Sequence, residues 1–87
     1  MWIRTQDKLG LFELKGFKIR EHVFENGTKE YLVLGNDNLY NHLGTYNSKE
    51  RAIEVLNEIQ TWIERYEAAK VSGKLFIAFI TYEMPKE

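Results

Sequence analysis

The chain contains no cysteine and a single proline, Pro85, in 87 residues. Without cysteine, neither disulfides nor thiolate metal ligands can help it fold. A domain of this length buries only about 60–65% of the surface of its unfolded chain, so its core is thin. Its stability must therefore come from apolar packing, with self-association as a further source. We expect a single domain spanning residues 1 to 87.

The chain also lacks an excess of either charge, since 12 Lys and Arg residues face 13 Asp and Glu residues. Proteins that bind nucleic acid usually carry a basic excess, because phosphate contacts supply most of their affinity. Here basic and acidic residues are interleaved, as in Lys49-Glu50-Arg51, which is typical of a solvated surface. The composition therefore disfavours DNA or RNA as a partner.

No apolar run is long. The longest one, Leu75 to Ile80, has six residues, whereas a membrane span needs about 20. Residues 1 to 7 contain no apolar core of signal-peptide length. We therefore expect no membrane partner and a cytoplasmic location.

Catalytic motifs are missing too. The sequence has no Gly-x-Gly-x-x-Gly, P-loop, His-Glu-x-x-His or Gly-x-Ser-x-Gly pattern. Its two histidines, His22 and His42, have no cluster of carboxylates or thiols beside them, which makes a metal site a weak interpretation. Ser48 looks like a helix cap and Ser72 like a turn residue, so neither indicates a nucleophile. The prediction is a protein that is not an enzyme and uses neither cofactor nor metal.

Turn residues divide the first half of the chain into five β-prone runs, at residues 2–6, 9–14, 17–24, around 31–34, and 39–46. Asn26-Gly27 predicts a hairpin with a type I′ turn, which needs positive φ at both central residues. Lys15-Gly16 predicts a second tight hairpin, Asp7-Lys8 and residues 35–38 predict turns, and Gly44 predicts a bulge.

From residue 48 to about residue 70 the period changes, and apolar residues recur at steps of three and four. This spacing predicts one long amphipathic helix that ends at Ser72-Gly73. Ser48 is its predicted N-cap, and Glu50 lies in the first turn, where the helix dipole favours an acid. The stripe consists of Ala52, Val55, Leu56, Ile59, Trp62, Ile63 and Tyr66.

A last strand is predicted over residues 75–82, which gives the order βββββαβ. Consecutive strands joined by short turns favour an α+β fold, an antiparallel meander of five to six strands packed against the helix. Both the last strand and residues 31–34 are apolar on two faces, whereas one helix covers one face only. Either the sheet curls into a half-barrel or a second copy packs on it, and we favour a homo-oligomer.

Aromatic and polar side chains outside the helix stripe are candidates for a ligand site. An aromatic ring can stack on a planar ligand, and a guanidinium can bind phosphate with two parallel hydrogen bonds. The alternative is that the two tyrosines pack in the sheet and the two arginines pair with surface acids. The candidates are Arg4, Gln6, Asp7, Tyr40, His42, Tyr46 and Arg51.

Three segments resemble one protein family. They are residues 1–7 (Met-Trp-Ile-Arg-Thr-Gln-Asp), residues 43–59 (from Leu-Gly-Thr-Tyr to Glu-Val-Leu-Asn-Glu-Ile) and residues 82–85 (Tyr-Glu-Met-Pro). They are similar to small uncharacterised proteins carried by phages, prophages and mobile elements of low-GC Gram-positive bacteria. Those proteins look like Met-Trp-Ile-Arg-(Ser/Thr)-Gln-Asp at the start, Leu-Gly-x-Tyr and Glu-Arg-Ala-x-Glu-Val-Leu near the helix, and Met-Pro at the end. The resemblance does not extend to residues 8–41, and it carries over no catalytic residue.

This resemblance implies an accessory role in the conflict between phage and host. Small phage proteins that defeat bacterial immunity often act without catalysis, either as oligomeric sponges for nucleotide-derived immune signals or by binding a host defence protein. The first hypothesis is therefore a homo-oligomer that sequesters such a signal at a junction between subunits. The second hypothesis is a protein-interaction module that inhibits a host defence protein through a sheet edge or an apolar face.

Overall fold

A computed structural model describes residues 2–36, 40–71 and 81–87. These residues form six strands and one helix in the predicted order βββββαβ, which confirms the α+β fold. The elements are β1 (Trp2–Arg4), β2 (Leu11–Glu13), β3 (Gly16–Val23), β4 (Lys29–Asn36), β5 (Tyr40–Tyr46), α1 (Lys49–Val71) and β6 (Thr81–Glu83).

The strands divide into two three-stranded sheets. In the first, here called the terminal sheet, β1 lies between β2, with which it is antiparallel, and β6, with which it is parallel. The second, here called the meander sheet, has the order β3-β4-β5 and is antiparallel throughout. The meander is therefore shorter than one sheet of five strands. The parallel pairing joins the two ends of the chain, and no local turn signal could indicate it.

The predicted hairpin at Lys15-Gly16 is wrong. β2 and β3 belong to different sheets, so these residues lead the chain from one sheet to the other instead of reversing it within one. The amide of Lys15 donates to the carbonyl of Asn36 on β4 at 3.1 Å. The predicted turn at Asp7-Lys8 is confirmed. It joins β1 to β2, and the Lys8 amide donates to the Thr5 carbonyl at 2.9 Å.

The hairpin at Asn26-Gly27 is confirmed, but its turn type is not. Only Gly27 has a positive φ, at 86°, whereas a type I′ turn would need one at Asn26 as well. Phe24 donates to the Thr28 carbonyl and accepts from the Gly27 amide, which makes a three-residue loop ending in a glycine bulge. The Asn26 side chain accepts the Thr28 amide at 3.0 Å, which stabilises this loop.

The bulge predicted at Gly44 is confirmed. Val33 is aligned with Gly44 but its neighbour Leu34 is aligned with His42, so Leu43 is the extra residue on β5. Leu43 is buried in the core, and its carbonyl accepts the amide of Gln6 at 2.8 Å. The bulge therefore links the meander sheet to the chain that leaves β1.

The helix is confirmed almost to the residue. Its N-cap is Ser48, whose hydroxyl oxygen accepts the Arg51 amide at 3.1 Å. The predicted stripe faces the core, where Ala52, Val55 and Ile59 are fully buried. They pack with buried residues from both sheets and from the residues directly after β2 and β6, namely Ile3, Leu14, Val33, Leu43, Tyr46, Tyr82 and Met84.

The face of the meander sheet that points away from the core, here called the outer face, is polar around two leucines. Register places Leu34 between Lys18 and His42, and Leu32 between Arg20 and Thr45. The described part of this face therefore offers no broad apolar patch for a second copy. The predicted turn at residues 35–38 is wrong for Gly35 and Asn36, which belong to β4 and pair with Asn41 and Tyr40. Residues 37–38, the apolar run at residues 75–80 and the predicted helix end at 72–73 lie outside the described residues.

Candidate functional site

Segments that are far apart in the sequence meet around the first turn of α1. They are the chain after β1, the end of β5, the residues that lead into α1, and the segment that follows β6, here called the C-terminal segment (residues 84–87). Between them lies a cleft of about 390 Å³, within the usual size range of small-molecule sites. Its walls are formed by Gln6, residues 45–48, Arg51, Lys86 and Glu87.

Gln6 forms the inner end of this cleft. Its Oε1 accepts the Thr45 amide at 2.8 Å, and its Nε2 lies 3.1 Å from the Thr45 carbonyl. The same nitrogen also donates towards the carbonyls of Pro85 and Lys86, at 3.1 and 2.8 Å. Both polar atoms of the side chain thus form hydrogen bonds with the main chain. Gln6 therefore holds the C-terminal segment against β5, an arrangement here called the Gln6 clamp.

Tyr46 and Arg51 hold the same C-terminal segment. The Tyr46 hydroxyl donates to the Pro85 carbonyl at 2.8 Å, and the Arg51 Nε donates to the Glu87 carbonyl at 2.8 Å. Burial raises the pKa of the Tyr46 phenol to about 12, so this hydroxyl keeps its proton at neutral pH. The predicted site residues Gln6, Tyr46 and Arg51 are therefore brought together, with their donors pointing at carbonyl oxygens.

Acidic side chains flank Arg51 on its other side. Its Nη1 lies 3.0 Å from Glu54 and 3.9 Å from Glu58, so part of its charge is balanced within α1. Glu58 in turn accepts the Tyr82 hydroxyl, and burial together with this hydrogen bond raises the pKa of Tyr82 above its ordinary value. Arg51 also lines the cleft.

Arg4, the last residue of β1, and Asp7, in the turn that follows, lie outside the cleft. Arg4 donates to the Lys8 carbonyl at 3.1 Å. The Asp7 carboxylate accepts the Thr5 hydroxyl at 2.6 Å and the Leu9 amide at 2.9 Å, and these hydrogen bonds hold its pKa below the ordinary value. Both side chains thus stabilise a tight turn in which Lys8 has a positive φ of 68°.

Tyr40 and His42 project from β5 and do not line the cleft either. The Lys18 ammonium lies 3.9 Å from the centre of the Tyr40 ring and forms a cation–π contact with it. The His42 Nε2 lies 2.7 Å from the Thr45 hydroxyl oxygen. Of the seven predicted residues, three are therefore at the cleft, two have side chains that hold the turn after β1, and two are on β5.

Sequence reasoning missed the contribution of the C-terminal segment. Lys86 and Glu87 line the cleft, and the carbonyls of residues 85–87 accept hydrogen bonds from side chains that the sequence predicts to bind a ligand. The Tyr-Glu-Met-Pro sequence, Gln6 and Tyr46 lie in the three segments that share the family resemblance. That shared resemblance is the signal that could have indicated a contact between them. Main-chain acceptors leave no mark in a sequence, so their partners could not be inferred.

The cleft contains charges of both signs. Arg51, Lys86 and the positive end of the α1 dipole favour an anion, whereas the carboxylate of Glu87, which also lines the cleft, opposes one. Across residues 2–36, 40–71 and 81–87, no three His, Asp or Glu side chains lie close enough together to hold a metal ion. Within the same residues, no helix combines the length and the apolar character of a membrane span.

Comparison with known proteins adds no relative. No protein-family model, curated protein or solved structure matches the chain.

Proposed function

We propose that this chain is a non-catalytic, phage-encoded anti-defence protein, a homo-oligomer that sequesters a nucleotide-derived immune signal. The observation that carries the proposal is the cleft at the first turn of α1, which brings together Gln6, Tyr46 and Arg51 from three separate segments. The resemblance of these segments to phage and prophage proteins supplies the biological setting. The lack of catalytic motifs in the sequence agrees with a role that depends on binding alone.

A phosphate group fits the charge of this cleft. Arg51 and Lys86 both line it. The main-chain amides at the start of α1 add dipoles of the same sign. Because Glu54 and Glu58 balance part of the Arg51 charge, and Glu87 adds a negative charge to the cleft, we expect modest affinity for a single phosphate and higher affinity for ligands with two.

The aromatic ring of Tyr46 is not free to stack on a base, because it is buried in the core. A base must therefore find its stacking partner elsewhere, and a second copy of the chain is the natural source. The cleft is also open to solvent on one side. Both points favour a site that is completed at a junction between subunits.

Calorimetry with the purified chain tests this function directly. The ligands are cyclic dinucleotides and ADP-ribose derivatives, titrated up to high micromolar concentration. Arg51→Gln should weaken binding at least tenfold, because it removes the charge that faces the phosphate. Lys86→Ala should weaken it less. The matched control is Arg65→Gln, which makes the same change on the exposed face of α1.

Two results would count against the proposal. The first is the absence of heat with every ligand of the panel. The second is an equal loss in Arg51→Gln and Arg65→Gln, which would place the ligand away from the cleft. Light scattering tests the oligomer separately, since a molar mass of 10.3 kDa, that of one chain, contradicts it.

A second function is favoured by a different observation, the exposed apolar side chains next to the loop of the β3–β4 hairpin. Val23 and Phe24 remain 53% and 42% exposed there, although both are large apolar residues. Exposed apolar side chains beside an open strand suit a protein partner. We propose, as the alternative, a module that binds and inhibits a host defence protein. If a tagged copy recovers no specific partner from host lysate, this alternative is lost.

A further inference from the structure

We propose that the free edge of β3 binds an extended, acidic segment of another protein, which adds to the meander sheet as a fourth strand. The inference rests on the second proposed function and names the surface and the chemistry of the partner. It follows from three properties of β3: its position in the sheet, the charge on its outer face, and its inability to pair with a copy of itself.

β3 is an edge strand of eight residues, and among the described elements only β4 pairs with it. The hairpin fixes which of its main-chain groups are free. Phe24 donates to the Thr28 carbonyl, so every second residue back along the strand, including His22, Arg20 and Lys18, bonds to β4. The alternate residues Phe17, Ile19, Glu21 and Val23 therefore turn their N–H and C=O groups away from the sheet.

Such a row of outward donors and acceptors is a template for another strand. Four alternate residues span about 20 Å of strand, at about 3.3 Å per residue. This length accommodates a segment of seven or eight residues. The main-chain hydrogen bonds supply affinity for any extended chain, so specificity must come from the side chains on the two faces.

The outer face of β3 is basic. Lys18, Arg20 and His22 follow one another on it, and all three side chains are exposed. Only Glu30, which is aligned with His22, opposes them on β4, while Lys18 and Arg20 are aligned with leucines. An added strand places its own side chains within about 5 Å of the Lys18 and Arg20 side chains. Asp or Glu at alternate positions would complement them.

The opposite face of β3 calls for apolar residues at the positions in between. Phe17 and Ile19 are half-buried against the core, and Val23 is more than half exposed. Glu21 lies between them, but Lys29 on β4 already pairs with it at 3.6 Å. The matching segment is therefore one in which acidic and apolar residues alternate.

A second copy of this chain does not fit the edge. In a two-fold antiparallel pairing, directly opposite residues must lie on the same face, so even-numbered residues oppose even-numbered ones. Centring the pair on Ile19 opposes Lys18 to Arg20, and centring it on Arg20 opposes Arg20 to itself. Centring it on Glu21 opposes Arg20 to His22. The registers centred on Ile19 and Arg20 set cation against cation, and the register centred on Glu21 sets Glu21 against itself, and like charges directly opposite one another are destabilising.

The test uses the full chain, labelled with ¹⁵N, and a ten-residue peptide in which Glu alternates with Val. We expect saturable binding that shifts and protects the amides of Phe17, Ile19, Glu21 and Val23, while amides bonded to β4 change little. The same peptide with Lys in place of Glu should bind at least tenfold more weakly. Raising the salt concentration should reduce this difference, because exposed charges are screened.

Two variants separate edge pairing from simple charge attraction. Glu21→Pro removes one outward N–H and leaves the charges on the outer face unchanged, and edge strands tolerate proline. This variant should bind the acidic peptide at least tenfold more weakly. Lys18→Glu combined with Arg20→Glu should reverse the preference, so that the Lys peptide binds better. The control Arg65→Glu, on the exposed side of α1, should leave both peptides unaffected.

The proposal is overturned if neither peptide binds at millimolar concentration, or if Glu21→Pro binds the acidic peptide as tightly as the unchanged chain. It is also overturned if a protein partner is recovered whose binding leaves the β3 amides unshifted. In that last case the interaction function survives and only its assignment to this edge fails.

Discussion

The side chain of Gln6 and the main chain of Thr45 are hydrogen-bonded in both directions, with Oε1 accepting the Thr45 amide at 2.8 Å and Nε2 lying 3.1 Å from its carbonyl. An adjacent strand would offer one residue of β5 the same pair of bonds. The Gln6 side chain therefore adds one pair of hydrogen bonds to the meander sheet, on the side of β5 that faces away from β4. Because Nε2 also reaches the Pro85 and Lys86 carbonyls, one amide ties three segments together.

Gln6→Ala should destabilise the fold by about 2–3 kcal/mol, because partly buried main-chain groups of Thr45 and the C-terminal segment lose their partner. Chemical denaturation measures this. Gln60→Ala is the matched control. The exposed Gln60 side chain bonds to Glu64, and its loss should change the stability by less than about 0.5 kcal/mol. Equal effects of the two substitutions would show that the Gln6 clamp contributes little.

The sequence predicted the local features of this fold and missed those that join distant segments. The helix followed from a stripe that repeats over many turns, and the bulge followed from a single glycine in a strand. The pairing of β1 with β6 has no such local signature. The sequence predicts Gln6 as a candidate because it is a polar residue outside the helix stripe, but its acceptors are main-chain atoms as far as 80 residues away. No pattern of side chains records them.

Ser48 is predicted to contribute through its cap alone. Ser48→Ala should cost about 1 kcal/mol in the free energy of unfolding, because the Arg51 amide loses the hydroxyl that accepts it at 3.1 Å. Ser48→Asp should retain the stability, since a carboxylate caps equally well. Thr61→Ala is the control within the same helix. Its hydroxyl donates back to the Asn57 carbonyl, and its loss should be neutral or slightly stabilising.

Stability should fall at alkaline pH because two buried tyrosines resist ionisation. The pKa of Tyr46 is raised to about 12 and that of Tyr82 is also raised, both chiefly by burial. Above about pH 10 the unfolded chain releases phenol protons that the folded chain retains. Unfolding then releases protons, so a rise in pH favours it. This contribution is fully present below pH 10 and is lost as pH rises towards 12.

The measurement is the urea midpoint at pH 7, 9 and 11, for the unchanged chain and for Tyr46→Phe combined with Tyr82→Phe. The double variant should be less stable at pH 7, because it loses the hydrogen bonds to Pro85 and Glu58. Between pH 9 and 11 it should lose less stability than the unchanged chain. A parallel decline in both proteins would assign the alkaline sensitivity to other groups.

Gly35 and Gly27 should respond to alanine for different physical reasons. A Cβ on Gly35 would lie 2.6 Å from Leu14 Cδ1 and 3.1 Å from Leu43 Cδ1, inside the core, so Gly35→Ala should cost about 1–3 kcal/mol through overpacking. Combining it with Leu14→Ala, which removes the nearer obstacle, should cost less than the sum of the two single changes.

Gly27→Ala meets no atom within 4 Å but must adopt the φ of 86°. It should cost about 1 kcal/mol, and Gly27→Asn should cost less, because asparagine tolerates that region. Urea denaturation of the five variants measures all of these differences. Strict additivity of Gly35→Ala and Leu14→Ala would show that the contact between these positions does not limit the packing of β4.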